Sequence, residues 1–119
     1  MSEIRGIGLD LCEIARMQHL LDEGHSLRRM FTDEEQAYIQ ARGASAAQTM
    51  AGMFAAKEAV LKALGTGMRI PMTDIVITHT ELGQPMATLH GATAQFDGMV
   101  MISITHEAGM AAGMAIWMS

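Results

Sequence analysis

Cysteine and aromatic residues are scarce in this chain of 119 residues. Cys12 is the only cysteine, so no disulfide can form within the chain, and nothing in the sequence indicates an oxidising compartment. Aromatic residues make up only 4% of the chain, whereas 13 residues are Met. Flexible and aliphatic side chains must therefore fill most of the core, which suits adaptable packing and a buried face between subunits.

Basic residues and long apolar runs are also few. Eight basic residues against 13 acidic ones give a net charge of -5, which argues against general nucleic-acid binding and requires any basic site to be local. No apolar stretch approaches the length of a membrane span, and no basic region precedes an uninterrupted apolar run. We therefore predict a cytoplasmic protein that does not bind a membrane. Because repeats, linkers and charge blocks are lacking, one domain over residues 1–119 is expected.

The first half of the chain carries three helical patterns. The first helix is predicted over residues 13–23, where a glycine follows. Thr32 and Glu35 form a capping box, which predicts the start of a second helix that runs to residue 42. The third and longest helix is predicted over residues 46–64 and ends at a glycine.

Strand patterns stand on both sides of these helices. Apolar residues over 3–11 predict a buried first strand, and two glycines within it indicate that another backbone or a ligand comes close. After the helices, alternating patterns predict several strands joined by short turns. One strand, then helices, then several strands indicate an α+β fold with a largely antiparallel sheet. The first strand carries Ile4, Ile7, Leu9 and Leu11 with Gly6 and Gly8; the later strands cover residues 73–80, 86–90, 100–106 and 111–117, with a tight connection at 83–85 and a helical turn at 92–96.

The long helix carries the most informative polar residues. Glu58 and Lys62 lie one turn apart on one face, a spacing that is also common for simple surface ion pairs. Lys57 lies on a different stripe and is compatible with an ordinary solvated lysine. Asp10 stands near the end of the first strand, where acidic residues often cap a helix or form a turn. The residue pattern alone leaves these alternatives open.

A cysteine and the histidines also have ordinary structural explanations. Cys12 is expected to be a small apolar filler, because no basic environment that would activate its thiol can be identified nearby. His106 ends a predicted strand and shares a face with Ile102 and Ile104, a position typical of a structural histidine. The other histidines show no metal-ligand spacing; they are His19, His25, His79 and His90.

Three segments together resemble a known family. They read GIGLDLCEIAR at residues 6–16, FAAKEAVLKALGTG at 54–67 and SITHE at 103–107. In this combination and order the chain resembles the holo-acyl-carrier-protein synthases, the short group within the 4'-phosphopantetheinyl transferases. The opening glycines are not a dinucleotide fingerprint, because Leu11 stands where the third glycine would be.

The resemblance implies a transferase that moves phosphopantetheine from coenzyme A to a serine of an apo-acyl carrier protein and releases adenosine 3',5'-bisphosphate. It also implies that Asp10 and Glu58 hold a divalent metal. Mg²⁺ is typically held by one or two carboxylates together with waters and substrate phosphates, so this pair suits it. The metal would neutralise charge on the pyrophosphate while the serine attacks the β-phosphorus.

Further residues receive roles from the same resemblance. Lys62 would contact the pyrophosphate and either protonate the leaving group or stabilise its charge. His106 would belong to the catalytic and coenzyme A site, and the base that deprotonates the serine is a metal-bound water, His106 or another carboxylate. A helix C-terminus is negative, so phosphates near it need cations and loop N–H groups. The expected coenzyme A contacts are Lys62, Gly65, Thr66, Gly67, Pro85 and His106.

The resemblance also bears on partners. The acyl carrier protein is acidic, so Arg16, Arg28 and Arg29 are expected to dock it, with ordinary solvated charge as the alternative. The family is typically a homotrimer with cofactor sites between neighbouring protomers. Family members commonly carry a basic residue where this chain has Met53, so one phosphate contact is either absent or supplied elsewhere.

Two other classes of function compete with this interpretation. A protein that binds coenzyme A or a nucleotide without efficient transfer is favoured by Met53 and by the shortage of cations. A purely structural assembly subunit would bind no coenzyme A in a metal-dependent way.

Overall fold

The computed structural model describes residues 3–119, and in it the predicted order of one strand, three helices and four strands is present. The helices are α1 (Ile14–Asp22), α2 (Asp33–Ala41) and α3 (Ala46–Leu64). The strands are β1 (Ile4–Glu13), β2 (Ile75–His79), β3 (Pro85–Leu89), β4 (Met99–Glu107) and β5 (Met110–Met118). Short 3-10 turns occupy Gly43–Ser45, Gly67–Arg69, Met72–Asp74 and Gly91–Thr93.

All strand pairs in the described residues are antiparallel, and they form two sheets. The larger sheet has the order β1-β5-β4, and β2 pairs with β3 in a separate hairpin. The β4–β5 hairpin turns at Ala108 and Gly109, whose φ angles are 50° and 80°. Two consecutive positive φ angles are typical of the tight turn that matches the twist of paired strands.

The core forms where α3 lies against the inner face of the larger sheet. An added Cβ at Gly6 or Gly8 of β1 would overlap backbone atoms of Ala63 or Ala59, and one at Gly113 of β5 would overlap the backbone near Ala56. The prediction that another backbone approaches these β1 glycines is therefore confirmed. Because these glycines have no side chains, the helix and the strands can lie close together.

The prediction of a buried β1 is wrong for its apolar side chains. Ile7, Leu9 and Leu11 are 71%, 65% and 62% exposed, and Ile4 is 64% exposed. Side chains alternate along a strand, so the residues between the glycines must point away from α3. With Met101 and Met114 these β1 residues make an apolar surface, which we call the outer face; its members are Ile7, Leu9, Leu11, Met101, Met114 and Ile116.

The helix ends follow the sequence signals closely. The capping box of α2 is present: Glu35 N donates to Thr32 Oγ1 at 3.2 Å, and Thr32 N donates to Glu35 Oε1 at 2.8 Å. Gly65 ends α3 with a φ of 76°, a conformation that glycine adopts without strain. β1 runs on to Glu13, which is the N-cap residue of α1. Asp10 is therefore a strand residue, and the alternative that it caps a helix is wrong.

Lys57 is fully buried, so its interpretation as a solvated lysine is wrong. Its ammonium donates to Glu35 Oε1 at 2.6 Å, Met30 O at 2.8 Å and Met72 O at 3.1 Å. Burial lowers the pKa of Lys57, while the hydrogen bond and charge of Glu35 raise it. The reason for the burial is that α2 and the segment before β2 cover the side of α3 that faces away from the larger sheet.

The lengths and compositions of the helices bear on whether any of them could cross a membrane. Within residues 3–119, no helix combines the length and apolar character that crossing a bilayer requires.

We predict that Gly8→Ala lowers the free energy of unfolding by about 3 kcal/mol, the upper end of the usual cost of overpacking, because its methyl group meets the α3 backbone, which cannot move aside cheaply. Gly24→Ala is the matched control. Gly24 has a φ of 65° and open space around it, so its change should cost only about 1–2 kcal/mol from backbone strain. Urea denaturation measures both values, and equal costs would show that the close packing of α3 on β1 contributes little.

Candidate active site

Two carboxylates and a lysine meet where α3 crosses β1, and we call Asp10, Glu58 and Lys62 the carboxylate cluster. Asp10 lies two residues after Gly8 and so shares the inner face of β1. Lys62 Nζ donates to Asp10 Oδ1 at 2.9 Å and to Leu9 O at 3.0 Å. The predicted neighbourhood of Asp10 and Lys62 is therefore present, and Glu58 lies close enough for both residues to act on its pKa.

The electrostatics of the cluster indicate a place for a cation. The pKa of Glu58 is raised to about 7, first by burial and then by hydrogen bonding and charge from Asp10, while Arg16 and Lys62 oppose the shift. Two carboxyl groups in one site repel each other when both are ionised. A divalent cation between them would remove that repulsion.

The donor set fits a magnesium ion that is shared with a substrate. Among the described residues, no group of three or more His, Cys, Asp or Glu side chains is placed to hold a metal. A closed structural zinc site would need four such ligands. Mg²⁺ commonly takes one or two carboxylates and completes its shell with waters and phosphate oxygens. Asp10 and Glu58 provide that number of carboxylates.

Arg16 lies beside the carboxylate cluster. Its guanidinium carbon is 5.5 Å from the centre of the Phe54 ring, and its charge acts on the pKa of both Glu58 and Cys12. Arg28 and Arg29 are exposed in the segment between α1 and α2. Cys12 is buried, and this burial is the largest of the effects that act on the pKa of its thiol, which is raised. The raised pKa agrees with the predicted role of Cys12 as a core filler.

A second group of polar residues surrounds a cleft of about 200 Å³, which we call the histidine cleft. His106 of β4 and Pro85 of β3 line it, as does Met53 of α3. The side-chain amide of Gln48 donates to His106 Nε2 at 3.1 Å. The prediction that His106 and Pro85 belong to one site is consistent with this cleft.

The remaining polar wall of the histidine cleft was not predicted. Tyr38 and His79 stack with ring centroids 3.9 Å apart, and burial, followed by the charge of Arg42, lowers the pKa of His79. Arg42 also lines the cleft. In residues 3–119 it forms no ion pair. No carboxylate of the described residues lines the cleft, although the chain as a whole is acidic. The histidine cleft is therefore suited to an anion.

The structure does not bring the two groups together within one chain. Gln48, which contacts His106, precedes Glu58 by ten residues on α3, a distance of about 15 Å along the helix axis. The loop after α3, with Gly65, Thr66 and Gly67, lies still further from Gln48 along the chain. His106 and Pro85 are thus separated from the carboxylate cluster, although the sequence resemblance groups them in one site.

Comparisons with known proteins agree with the three sequence segments. A family model described as the 4'-phosphopantetheinyl transferase superfamily matches residues 6–105. A holo-[acyl-carrier-protein] synthase from Magnetococcus marinus is 44% identical, covering 95% of this chain and 91% of the relative. One from Trichlorobacter lovleyi is 40% identical, covering 95% and 96%.

Solved structures extend the likeness to the fold. The holo-(acyl-carrier-protein) synthase from Bacillus anthracis, in complex with CoA (3',5'-ADP), matches with a TM-score of 0.83 at 30% identity, covering 98% of this chain and 97% of that one. The Helicobacter pylori enzyme in complex with coenzyme A matches with a TM-score of 0.82 at 28% identity, covering 95% and 99%. The predicted α+β fold is confirmed.

These findings show that the chain belongs to the 4'-phosphopantetheinyl transferase superfamily. Its relatives within that superfamily are holo-[acyl-carrier-protein] synthases, so the resemblance stated from the sequence is confirmed. The chain is therefore a transferase, and the interpretation as a purely structural subunit is wrong.

Proposed function

We propose that this protein transfers the 4'-phosphopantetheine group of coenzyme A to a serine of an apo-acyl carrier protein, with Mg²⁺, and releases adenosine 3',5'-bisphosphate. The relatives carry the name of that activity, and two similar structures hold coenzyme A or its 3',5'-ADP portion. The single observation that carries the proposal is the meeting of Asp10, Glu58 and Lys62 where α3 crosses β1.

Each member of the carboxylate cluster has a separate task in this proposal. Asp10 and Glu58 would hold Mg²⁺, which when bound would neutralise the charge of the pyrophosphate. Lys62 would leave Asp10 and contact the departing phosphate, whose new charge it stabilises. The serine oxygen forms a bond to the β-phosphorus, the bond from that phosphorus to the bridging oxygen breaks, and the serine proton passes to a base.

The acyl carrier protein would dock beside the carboxylate cluster. Arg16 is exposed next to Glu58, and the exposed Arg28 and Arg29 follow α1. An acidic partner would find local positive charge there on an otherwise acidic chain. We expect carrier-protein binding to weaken as salt rises, because exposed charges are screened. The proposal keeps the predicted cytoplasmic location, with which the single buried thiol of Cys12 is compatible.

A homotrimer would account for both the outer face and the divided site. Ile7, Ile116 and Met101 stand opposite one another across three strands, as do Leu9, Met114 and Ser103. Contiguous exposed apolar surface of this kind marks interaction sites. Burial of this face against neighbours would allow the carboxylate cluster of one chain to approach the histidine cleft of the next.

Arg42 is our candidate for the phosphate contact that Met53 does not provide. Coenzyme A carries a 3'-phosphate on the same ribose that carries its pyrophosphate. Met53 and Arg42 line the same histidine cleft, with His106 on another of its walls. We propose that Arg42 binds the 3'-phosphate by charge-assisted hydrogen bonds.

The rival interpretation is a member of the same family that binds coenzyme A but has lost efficient transfer. Incubation with Mg²⁺, coenzyme A and apo-acyl carrier protein separates the two, because transfer adds the phosphopantetheine mass to the carrier serine. A mass increment that disappears with chelator supports the enzyme. Coenzyme A binding without any increment, for several carrier proteins, supports the rival.

We predict that Asp10→Ala and Glu58→Ala each abolish transfer and weaken Mg²⁺ binding, because each removes a carboxylate ligand while the core stays filled. Asp33→Asn, an exposed carboxylate on the first turn of α2, is the control and should leave both unchanged. Transfer is measured by mass spectrometry, and Mg²⁺ binding in the presence of coenzyme A by calorimetry. Normal Mg²⁺ affinity in either alanine variant would reject the metal site.

We predict that Leu9→Glu converts the assembly from trimer to monomer, because a charge on the outer face cannot be buried without a partner. Leu82→Glu is the matched control, since Leu82 is 99% exposed in the turn after β2. Sedimentation velocity reads the mass of both. A wild-type monomer, or a trimeric Leu9→Glu variant, would contradict the proposed assembly.

We predict that Arg42→Ala raises the KM for coenzyme A about tenfold or more, the loss expected for a charged hydrogen bond of about 1.5–3 kcal/mol. It should leave the KM for dephospho-coenzyme A nearly unchanged, because that substrate lacks the 3'-phosphate. Arg42→Lys keeps the charge and should retain part of the affinity. An equal loss with both substrates would place Arg42 away from the 3'-phosphate.

A further inference from the structure

In the buried pair of Glu35 and Lys57, all three ammonium donors of Lys57 and both carboxylate oxygens of Glu35 form hydrogen bonds. The three donors of Lys57 go to Glu35 Oε1, Met30 O and Met72 O. Glu35 Oε1 also accepts from Thr32 N, and Oε2 accepts from Ile77 N, both at 2.8 Å. Buried ion pairs often add little stability compared with apolar side chains of similar size. Their hydrogen bonds are directional, however, and therefore hold the bonded groups in fixed positions.

One end of this pair fixes the orientation of α3. Lys57 directly precedes Glu58, and consecutive helical side chains point about 100° apart. Lys57 faces α2 and the segment before β2, so Glu58 is turned toward β1 and Asp10. The hydrogen bonds of Lys57 to two backbone carbonyls resist rotation of the helix at this turn.

The other end fixes a wall of the histidine cleft. Glu35 of α2 holds the backbone of Ile77 in β2. Tyr38 lies one turn further along α2, and His79 lies two residues further along β2; their rings stack. The bond from Glu35 and the ring stack are thus successive contacts between the same two elements, and both rings line the cleft.

We infer that the Glu35–Lys57 pair positions both halves of the site, the carboxylate on α3 and the aromatic wall of the histidine cleft. The inference rests on the proposed function for the ligands that are used to test it. Neither side chain touches a reacting atom, so both are positioning residues. A pair that served only stability would change the folded fraction and leave the affinities of the folded protein intact.

The test uses Lys57→Met, Glu35→Gln and the double variant. Lys57→Met keeps the length of the side chain and removes its charge, leaving the buried Glu35 carboxyl without its cation. The double variant removes both charges, while the side-chain amide introduced by Glu35→Gln can still accept from Ile77 N. The stability control is Val100→Ala, which shortens a buried β4 side chain that takes no part in the hydrogen bonds of the pair. Urea denaturation at several temperatures first identifies a temperature at which every variant is folded.

At that temperature, calorimetry gives the dissociation constant of coenzyme A, and titration of Mg²⁺ in its presence gives the half-saturating concentration. We expect both to rise about 10-fold in Lys57→Met, the lower end for loss of a group that supports metal ligands. The double variant should recover stability but not these affinities. The KM for the carrier protein should not change, and Val100→Ala should lose stability alone.

Wild-type affinities in folded Lys57→Met would overturn the positioning role, as would recovery of both affinities in the double variant. The proposed function fails differently: a wild-type protein that binds coenzyme A but adds no mass to carrier proteins would reject it. In that case the coenzyme A affinities of the variants still decide whether the pair positions the site.

Discussion

The close contact between α3 and the glycines of β1 is the constraint on which the rest of the structure depends. Because Gly6 and Gly8 present no side chain to the helix, the two backbones approach until Cβ atoms would overlap. The next inward residue is Asp10, which therefore meets Glu58 and Lys62. The same alternation turns Ile7, Leu9 and Leu11 outward. One short sequence, GIGLDL, thus sets both the carboxylate cluster and the apolar outer face.

The two faces of α3 have different packing chemistry. Against the larger sheet the helix uses small residues and glycine partners, so the contact fixes distance more than orientation. Against α2 and β2 it uses the Glu35–Lys57 pair, whose hydrogen bonds have directions. Together the two contacts restrict how α3 translates and rotates. This combination matters because α3 carries Glu58 in its C-terminal third and Gln48, the partner of His106, in its first turn.

Local signals predicted the elements well, and distant pairing explains what they missed. The capping box at Thr32 and the glycine at position 65 mark their helix ends, since both act within one turn. The exposure of β1 could have been read from the glycines that alternate with its apolar residues. The burial of Lys57 could not, because its partner lies 22 residues away. Tyr38, Arg42 and His79 likewise meet only after α2 packs on β2.

The separation of the carboxylate cluster from the histidine cleft along α3 has a consequence for how defects in different chains combine within one assembly. Where neighbouring chains each contribute one half, a chain that lacks a working cluster and a chain that lacks a working cleft would complement each other. A mixed assembly of the two would contain some intact composite sites, whereas either defective chain alone would contain none. Whether a site is active would then depend on which two chains are neighbours, and not on either chain alone.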